Sequence, residues 1–262
     1  MWNRLQNVCK LYFRQEKKER RNNLKITEHL IQLTGVQYGT NSNVYAIQYE
    51  GGVALVDCGY QEKQWNRMQA TLAYYQLSLE DIRHVFLTHA HFDHAGNVHR
   101  LNALGAKVYS SKEDVEKIEI ANPEMEKLFH SAWITGKVSA TLEDKKTYEL
   151  DGNTKITAIK TPGHSAGSFS FLIEVDNQKC LCTGDMFFVG PLPPEDDVSV
   201  EIGYMGSEDH DFKALVGSLH ALSEIDCDIL LPGHYYFYRG NDCRKVLKEA
   251  YRKAQYMEVQ DG

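Results

Sequence analysis

The chain has 262 residues, of which 42% are hydrophobic and 25% are charged, and its formal net charge is −7. This composition is typical of a folded domain and excludes collagen-like, low-complexity and wholly disordered proteins. No apolar run reaches the roughly 18 residues that a membrane-spanning helix needs, and a charge of −13 outside residues 1–25 argues against a nucleic-acid-binding surface.

The first 25 residues differ from the rest of the chain. They hold eight Lys and Arg against two Glu, a local charge of +6, and their apolar residues recur at helical spacing from Trp2 to Phe13. They lack the apolar region and the cleavage site of a secretory signal. We expect a basic amphipathic arm (1–25) that packs on the body or on a second copy, giving a homodimer; an anionic partner or membrane surface is the alternative. Residues 26–262 are expected to form one domain.

After the arm the sequence predicts strands and helices in a recognisable order. Residues 43–49 and 53–56 are apolar runs joined by Glu50-Gly51-Gly52, which predicts a hairpin. A helix is expected over residues 61–76, and Ser78 with Asp81 predicts a capped turn. A short buried strand, His84–Leu87, then leads directly into Thr88–His94.

The second half of the chain repeats this order. A hairpin is predicted for residues 168–175 and 179–182, a helix for 211–222 and a short strand for 228–231, which leads into Pro232-Gly233-His234. Two similar β-rich halves that face each other would bring the polar residues at their strand ends to a shared seam. This is the architecture that the pattern favours.

Two long connections interrupt the pattern and are candidates for lids over a site. Residues 111–145 include a polar stretch, Ser111–Ser139, with a helical pattern and a capping box from Ser111 to Asp114. Residues 190–212 contain three prolines and an acidic run, and we expect them to be irregular.

Histidine and cysteine usage is informative. The six cysteines are widely spaced, which indicates reduced thiols and a cytoplasmic protein rather than a disulfide framework. Eleven histidines is a high number, and His89-x-His91-x-Asp93-His94 places four metal-binding side chains within six residues. A single histidine is usually structural, but four such groups beyond one strand predict metal binding, because coordination satisfies polar groups that are costly to bury.

The segment Thr88–His94 resembles the signature of the metallo-β-lactamase-fold superfamily of hydrolases. Four more segments occur in that family's order, and the resemblance covers about residues 26–240: Val53–Gly59, Thr161–Ser168, Thr183–Asp185 and Pro232–His234. The resemblance implies an α+β fold, a four-layer αβ/βα sandwich built from two similar β-rich halves.

The resemblance also implies two groups of metal ligands and one bridging residue: His89, His91 and His164; Asp93, His94 and His234; and Asp185 between them. Imidazole and carboxylate ligands without thiolate suit two divalent ions, most simply Zn²⁺, with Fe or Mn as alternatives. The implied reaction is hydrolysis by a hydroxide shared between the two ions, with Asp93 as a catalytic residue that passes a proton to the leaving group.

Asp57 occupies the strand end that corresponds to Asp185 in the other half. Two interpretations remain open. Asp57 either orients the imidazole of a metal ligand or caps the turn before Gly59.

The substrate is less clearly indicated. Asp185 favours the glyoxalase II-like thioesterases and the lactonases of this superfamily over its β-lactamases, whereas Phe188 replaces a Tyr that quorum-quenching lactonases commonly carry. We expect a hydrolase that opens an ester, lactone or thioester of a small molecule. The alternatives are a β-lactamase-like amide hydrolase and an iron-dependent sulfur dioxygenase on the same scaffold.

Aromatic side chains in or near the long connections are candidates for a wall that contacts an apolar substrate. Core packing is the alternative for each of them: Phe129, Trp133, Phe188, Tyr204 and Tyr235.

Overall fold

The first half of the chain forms a six-stranded sheet whose strands follow the order of the sequence. They are β1 (Leu30–Gln32), β2 (Tyr45–Tyr49), β3 (Gly52–Val56), β4 (Ile82–Phe86), β5 (Lys107–Ser110) and β6 (Ala140–Thr141). Strands β1 to β3 are antiparallel neighbours, whereas β3 to β6 are parallel. Parallel neighbours need crossover connections, and these contain the helices α1 (Gln61–Tyr74), α2 (Phe92–Ala95), α3 (Val98–Ala103) and α4 (Val115–Glu119).

The second half forms a five-stranded sheet in the order β13-β10-β9-β8-β7 and a separate two-stranded ribbon, β11-β12. The strands are β7 (Thr147–Glu149), β8 (Lys155–Lys160), β9 (Phe169–Val175), β10 (Gln178–Gly184), β11 (Phe187–Val189), β12 (Val200–Ile202) and β13 (Ile229–Pro232). Helices α5 (Phe212–Ser223) and α6 (Cys243–Asp261) complete this half.

The two sheets pack face to face, and helices cover the outer face of each. Strand β3 illustrates this, because side chains alternate along a strand. Val53 and Leu55 join a core cluster with residues of α1, whereas Val56 joins Phe86 and Phe171 between the two sheets. A third cluster lies between the second sheet and the helices α5 and α6. The expected α+β sandwich of four layers is therefore confirmed.

Local expectations are confirmed at several places. Both hairpins form, α1 and α5 lie where helices were predicted, and Ser78 and Asp81 make a capping box around a short 3₁₀ turn.

The two long connections need correction. In the first, α4 is only five residues long and the backbone over residues 130–139 is not helical. Half of the predicted capping box forms, because the backbone N–H of Asp114 donates to Ser111 Oγ, whereas the side chain of Asp114 makes no capping hydrogen bond. In the second, residues 200–202 are not irregular but form β12, since they pair with β11.

The computed structural model describes residues 25–120, 123, 126–127, 130–190, 199–203, 207–240 and 242–261. The predicted arm (1–25) thus lies outside the described residues except for Lys25. Of the helices in these ranges, including the 19-residue α6, none combines the length and hydrophobicity of a transmembrane segment.

Candidate metal centre

The ends of strands from both sheets meet at one edge of the sandwich. His89 and His91 follow β4, and the short helix α2 carries Asp93 and His94. The second half contributes three residues from separate connections: His164 between β8 and β9, Asp185 after β10 and His234 after β13. Because β3 and β4 are parallel, as are β10 and β13, their carboxyl ends deliver these side chains to a common place.

The first group consists of His89, His91 and His164, whose ligand atoms all lie within 4.8 Å of one another. His164 Nε2 is 3.0 Å from His91 Nδ1. His89 Nε2 is buried and has no hydrogen-bond partner. Three imidazoles therefore present nitrogen atoms to one point.

The second group consists of Asp93, His94 and His234, whose ligand atoms also lie within 4.8 Å of one another. His234 Nε2 is 3.2 Å from Asp93 Oδ2 and 3.3 Å from His94 Nε2. This group adds a carboxylate to two imidazoles.

Asp185 lies between the two groups. Its Oδ2 is 3.2 Å from His234 Nε2 and 3.7 Å from His164 Nε2, and its Oδ1 is 3.4 Å from His94 Nε2. Oδ1 is buried and accepts no hydrogen bond. One carboxylate thus faces both groups, as the bridging position requires.

Burial and charge act differently on the two groups. Burial and the neighbouring His164 together lower the pKa of His91 to about 3. Burial also opposes the charged form of His234, but Asp185 and Asp93 outweigh it and raise the pKa of His234 to about 10. His89 and His91 therefore keep neutral imidazoles, whose lone pairs are free for a cation, while the second group needs positive charge beside its carboxylates.

These observations test whether divalent metal ions fit. Neutral imidazole nitrogens, two carboxylates and buried ligand atoms without hydrogen-bond partners, His89 Nε2 and Asp185 Oδ1, are the properties of a metal site rather than of a satisfied polar core. The candidate ligands are imidazoles and carboxylates, without a thiolate, and such a set suits Zn²⁺, Fe or Mn. The residues fit two such ions.

Asp57 is buried beneath this centre and contacts it twice. Its carboxylate accepts a hydrogen bond of 2.8 Å from His94 Nδ1, which leaves His94 Nε2 free to face the second group. It also accepts hydrogen bonds from the backbone N–H and the hydroxyl of Thr88. Of the two interpretations of Asp57, the structure supports the contact with a candidate ligand.

Thr88 connects Asp57 to His89, a residue of the first group, through hydrogen bonds. A hydroxyl has a single hydrogen, and that of Thr88 goes to Asp57, so Thr88 Oγ1 accepts from His89 Nδ1 at 2.9 Å. The proton on Nδ1 leaves the lone pair of His89 on Nε2, which is the atom that faces the centre. Sequence reasoning missed the role of Thr88, although it directly precedes the histidine motif.

Two further residues that sequence reasoning missed support Asp93. The Nδ2 of Asn41 donates to Asp93 Oδ2 at 2.8 Å, and the hydroxyl of Ser42 donates to the backbone carbonyl of Asp93. Both lie in the loop before β2, far from the motif in sequence, so no local pattern indicates them.

Gly233 shows a different requirement. A Cβ atom built at Gly233 would collide with Asp185 Oδ1 and approach the ring of His94. Its φ is not in the left-handed region. The glycine is thus explained by the close approach of the carboxylate rather than by a tight turn.

The candidate substrate contacts divide into three cases. Phe188 packs edge-on against His234 and Tyr235, with ring centroids 5.2 and 5.6 Å away, and Tyr235 is 40% exposed. Trp133 is buried in the core, packs against Phe92 and donates from its indole to a backbone carbonyl, so its prediction as a substrate contact is corrected to core packing. Phe129 and Tyr204 lie outside the described residues.

The family model described as the metallo-beta-lactamase superfamily matches residues 38–234. The chain belongs to the metallo-beta-lactamase superfamily. The match spans all seven residues of the candidate metal centre and the strands β2 to β13.

Similar proteins within this superfamily include two fungal ones. The lactamase-like protein adaB of Aspergillus niger is 24% identical over 218 residues, which are 80% of this chain and 56% of adaB. The thioesterase pkgB of Emericella nidulans is 27% identical over 195 residues, 74% of this chain and 45% of pkgB. The chain thus spans about half the length of the curated relatives that it matches.

A solved structure supports the fold. A metallo-beta-lactamase family protein from Thermus thermophilus superimposes with a TM-score of 0.69 at 22% identity, covering 88% of this chain and 81% of that one. At that identity the likeness concerns the fold.

Proposed function

We propose that the protein is a hydrolase with two divalent metal ions, Zn²⁺ in each position, that opens a thioester, ester or lactone of a small molecule. The observation that carries the proposal is the convergence of five imidazoles and two carboxylates, of which His89 Nε2 and Asp185 Oδ1 are buried without a hydrogen-bond partner. Superfamily membership and the similarity to a fungal thioesterase support it.

In this proposal His89, His91 and His164 hold one ion, Asp93, His94 and His234 hold the other, and Asp185 contacts both. Divalent ions in such sites make water a nucleophile near neutral pH and polarise a substrate carbonyl. The remaining chemistry belongs to side chains of this chain.

Asp57 and Thr88 fix the protons of two ligands. With Nδ1 protonated in His94 and in His89, both rings present Nε2 to the centre, and neither ring turns without breaking a buried hydrogen bond. Asn41 holds Asp93 Oδ2 through an N–H···O bond. Asp93 would take up the proton that the attacking water releases and pass it to the departing sulfur, oxygen or nitrogen.

Phe188 and Tyr235 form one wall beside His234. An aromatic wall next to a polar centre suits an acyl group with an apolar chain. We assign to these two residues the contact with the acyl part of the substrate.

Metal analysis by mass spectrometry and a substrate panel test the proposal together. Two equivalents of Zn²⁺ and hydrolysis of the neutral thioester S-butyryl-N-acetylcysteamine are expected, along with loss of both metal and activity in His91→Ala. His220→Ala, an exposed histidine of α5, is the matched control and should retain both.

Other outcomes favour other functions. Turnover of β-lactams without thioesters would favour an amide hydrolase, and one equivalent of iron with oxygen uptake on a persulfide would favour a sulfur dioxygenase. A metal-loaded protein that turns over no ester, lactone or thioester would overturn the proposal.

We further propose that the protein is cytoplasmic and that the arm (1–25) joins two copies. Removing residues 1–24 should then halve the mass measured by light scattering. An unchanged mass would contradict this role of the arm.

A further inference from the structure

A groove of about 430 Å³ opens beside the metal centre, outside the aromatic wall. It lies between the loop before β2 and the start of α1 and is lined by Gly39, Thr40, Asn41, Tyr60, Lys63 and Gln64. Its volume is in the range of small-molecule binding sites. Neither the ligand groups nor the candidate substrate contacts include any of these residues.

The groove lies next to one residue of the centre, Asp93. Asn41 lines it and donates to Asp93 Oδ2 at 2.8 Å. Tyr60 lines it too, and its ring packs edge-on against Phe92, the residue before Asp93. Through Asn41 the groove thus adjoins Asp93, the residue to which the proposed function assigns protonation of the leaving group.

The groove carries a positive charge, although the net charge of the chain is −7. In the part of the chain that the structure describes, Lys63 is the one charged residue in the lining. The neighbouring Glu62 is instead paired with Arg100, at 2.7 Å.

The ammonium group of Lys63 is available to a ligand. Lys63 is exposed and makes no ion pair with any residue that the structure describes. Its Nζ lies 3.9 Å from the position of a Cβ built at Gly39, which places the charge against the loop that forms the other wall. The amide of Asn41 carries two N–H groups, and the contact with Asp93 uses only one of them.

We propose that this groove binds an anionic group, a carboxylate or a phosphate, carried on the leaving thiol or alcohol of the substrate, with Lys63 as its counter-charge and Asn41 as a neutral donor. The inference rests on the proposed function, because Asp93 defines the side of the leaving group. The proposed function assigns the acyl part to Phe188 and Tyr235.

Three thioesters that differ in the position of a carboxylate test the proposal. S-butyryl-3-mercaptopropionate carries a carboxylate on the thiol, S-butyryl-N-acetylcysteamine carries none, and S-succinyl-N-acetylcysteamine carries one on the acyl part. In Lys63→Ala we expect KM to rise about five-fold for the first substrate alone with kcat unchanged, because exposed ion pairs contribute about 1 kcal/mol. Lys63→Arg should restore the KM, and Lys248→Ala, an exposed lysine of α6, should behave as wild type.

The two sources of negative charge are separated by comparing S-butyryl-phosphopantetheine with S-butyryl-pantetheine. A larger effect of Lys63→Ala on the phosphorylated compound than on the mercaptopropionate ester identifies phosphate as the preferred group. An equal change of KM on all substrates, no change on any, or a change confined to the succinyl thioester would overturn the proposal.

A binding measurement keeps this test separate from catalysis. The thioether S-butyl-3-mercaptopropionate cannot be hydrolysed, and calorimetry should show about five-fold weaker binding to Lys63→Ala than to wild type. If no thioester is turned over but this difference in binding is found, the proposed function is wrong, while the proposal that the groove binds an anionic group is supported. Equal affinity of both proteins for the thioether would overturn the proposal that the groove binds an anionic group.

Discussion

Asp57 and His94 are joined by a buried hydrogen bond of 2.8 Å between the imidazole Nδ1 and the carboxylate. Asp57 makes it from a backbone position with φ of 61°, in the left-handed region that aspartate enters more readily than most residues. Such a conformation costs on the order of 1 kcal/mol and persists where surrounding contacts determine it. Here the contacts with Thr88 and His94 do so.

Replacing Asp57 should weaken metal binding without unfolding the protein. In Asp57→Asn the side chain keeps its shape and still tolerates a positive φ, but it loses the negative charge that orients two ligands. Loss of such a partner typically costs 10- to 100-fold in metal affinity. Competition with a fluorescent Zn²⁺ chelator measures it, and an affinity equal to that of wild type would contradict the role of Asp57.

A methyl group at Gly233 should displace the bridging carboxylate. The Cβ of Gly233→Ala would collide with Asp185 Oδ1, so we expect loss of metal and at least a 100-fold lower kcat/KM. Gly217→Ala is the matched control, because its Cβ meets open space in α5. This control should be more stable by about 0.5–1 kcal/mol in thermal unfolding and fully active.

Asp114 should make the stability of the protein depend on pH. Burial raises the pKa of Asp114 to about 6, Lys117 opposes the rise and Asp209 adds to it; Ser111 and Gly167 complete its surroundings. The folded state therefore binds a proton more tightly than the unfolded chain, so the free energy of unfolding falls as pH rises from about 4 through 6. Asp114→Asn should raise Tm by a few degrees at pH 7.5 and by little at pH 3.5.

The control for this prediction is Asp226→Asn, which changes an exposed aspartate. Its difference in Tm from wild type should not vary with pH. A lower Tm of Asp114→Asn at pH 7.5 would mean that the ion pair with Lys117, 3.6 Å away, outweighs the cost of burying the charge.

Phe188 and Trp133 should separate substrate binding from stability. Phe188→Ala is expected to raise KM for long-chain acyl thioesters about ten-fold and to leave Tm nearly unchanged. Trp133→Ala should destabilise the fold by about 3–5 kcal/mol, because the indole fills the core. Thermal unfolding measures the stability of each variant, and a series of thioesters with acyl chains of different length measures KM. A raised KM in Trp133→Ala with unchanged stability would show that Trp133 contacts the substrate.

The sequence points to the seven candidate ligand residues because much of their chemistry is dense and local. Four metal-binding side chains follow one strand, and the other three lie in segments that resemble the pattern of the superfamily. Asp57 was identified from its position at a strand end, with its role left open. The short apolar runs likewise predict the strands, since a strand that is buried on both faces is nearly continuously apolar.

Other features depend on contacts between distant segments. Asn41 reaches Asp93 across 52 positions of sequence, and no local pattern encodes that contact. Trp133 sits in a polar stretch, yet its ring packs in the core, because tertiary burial outweighs the character of its neighbours. The strand β12 is short, and its pairing with β11 rather than its composition defines it.

Each ligand group draws on both halves of the chain. His89 and His91 come from the first half and His164 from the second, just as Asp93 and His94 are completed by His234. A bound ion would consequently hold the two sheets together, because its ligands come from both. Separation of the two halves would require the ion to dissociate. Thermal stability should then rise with free metal concentration and fall on chelation, so that the candidate metal centre would also cross-link the fold.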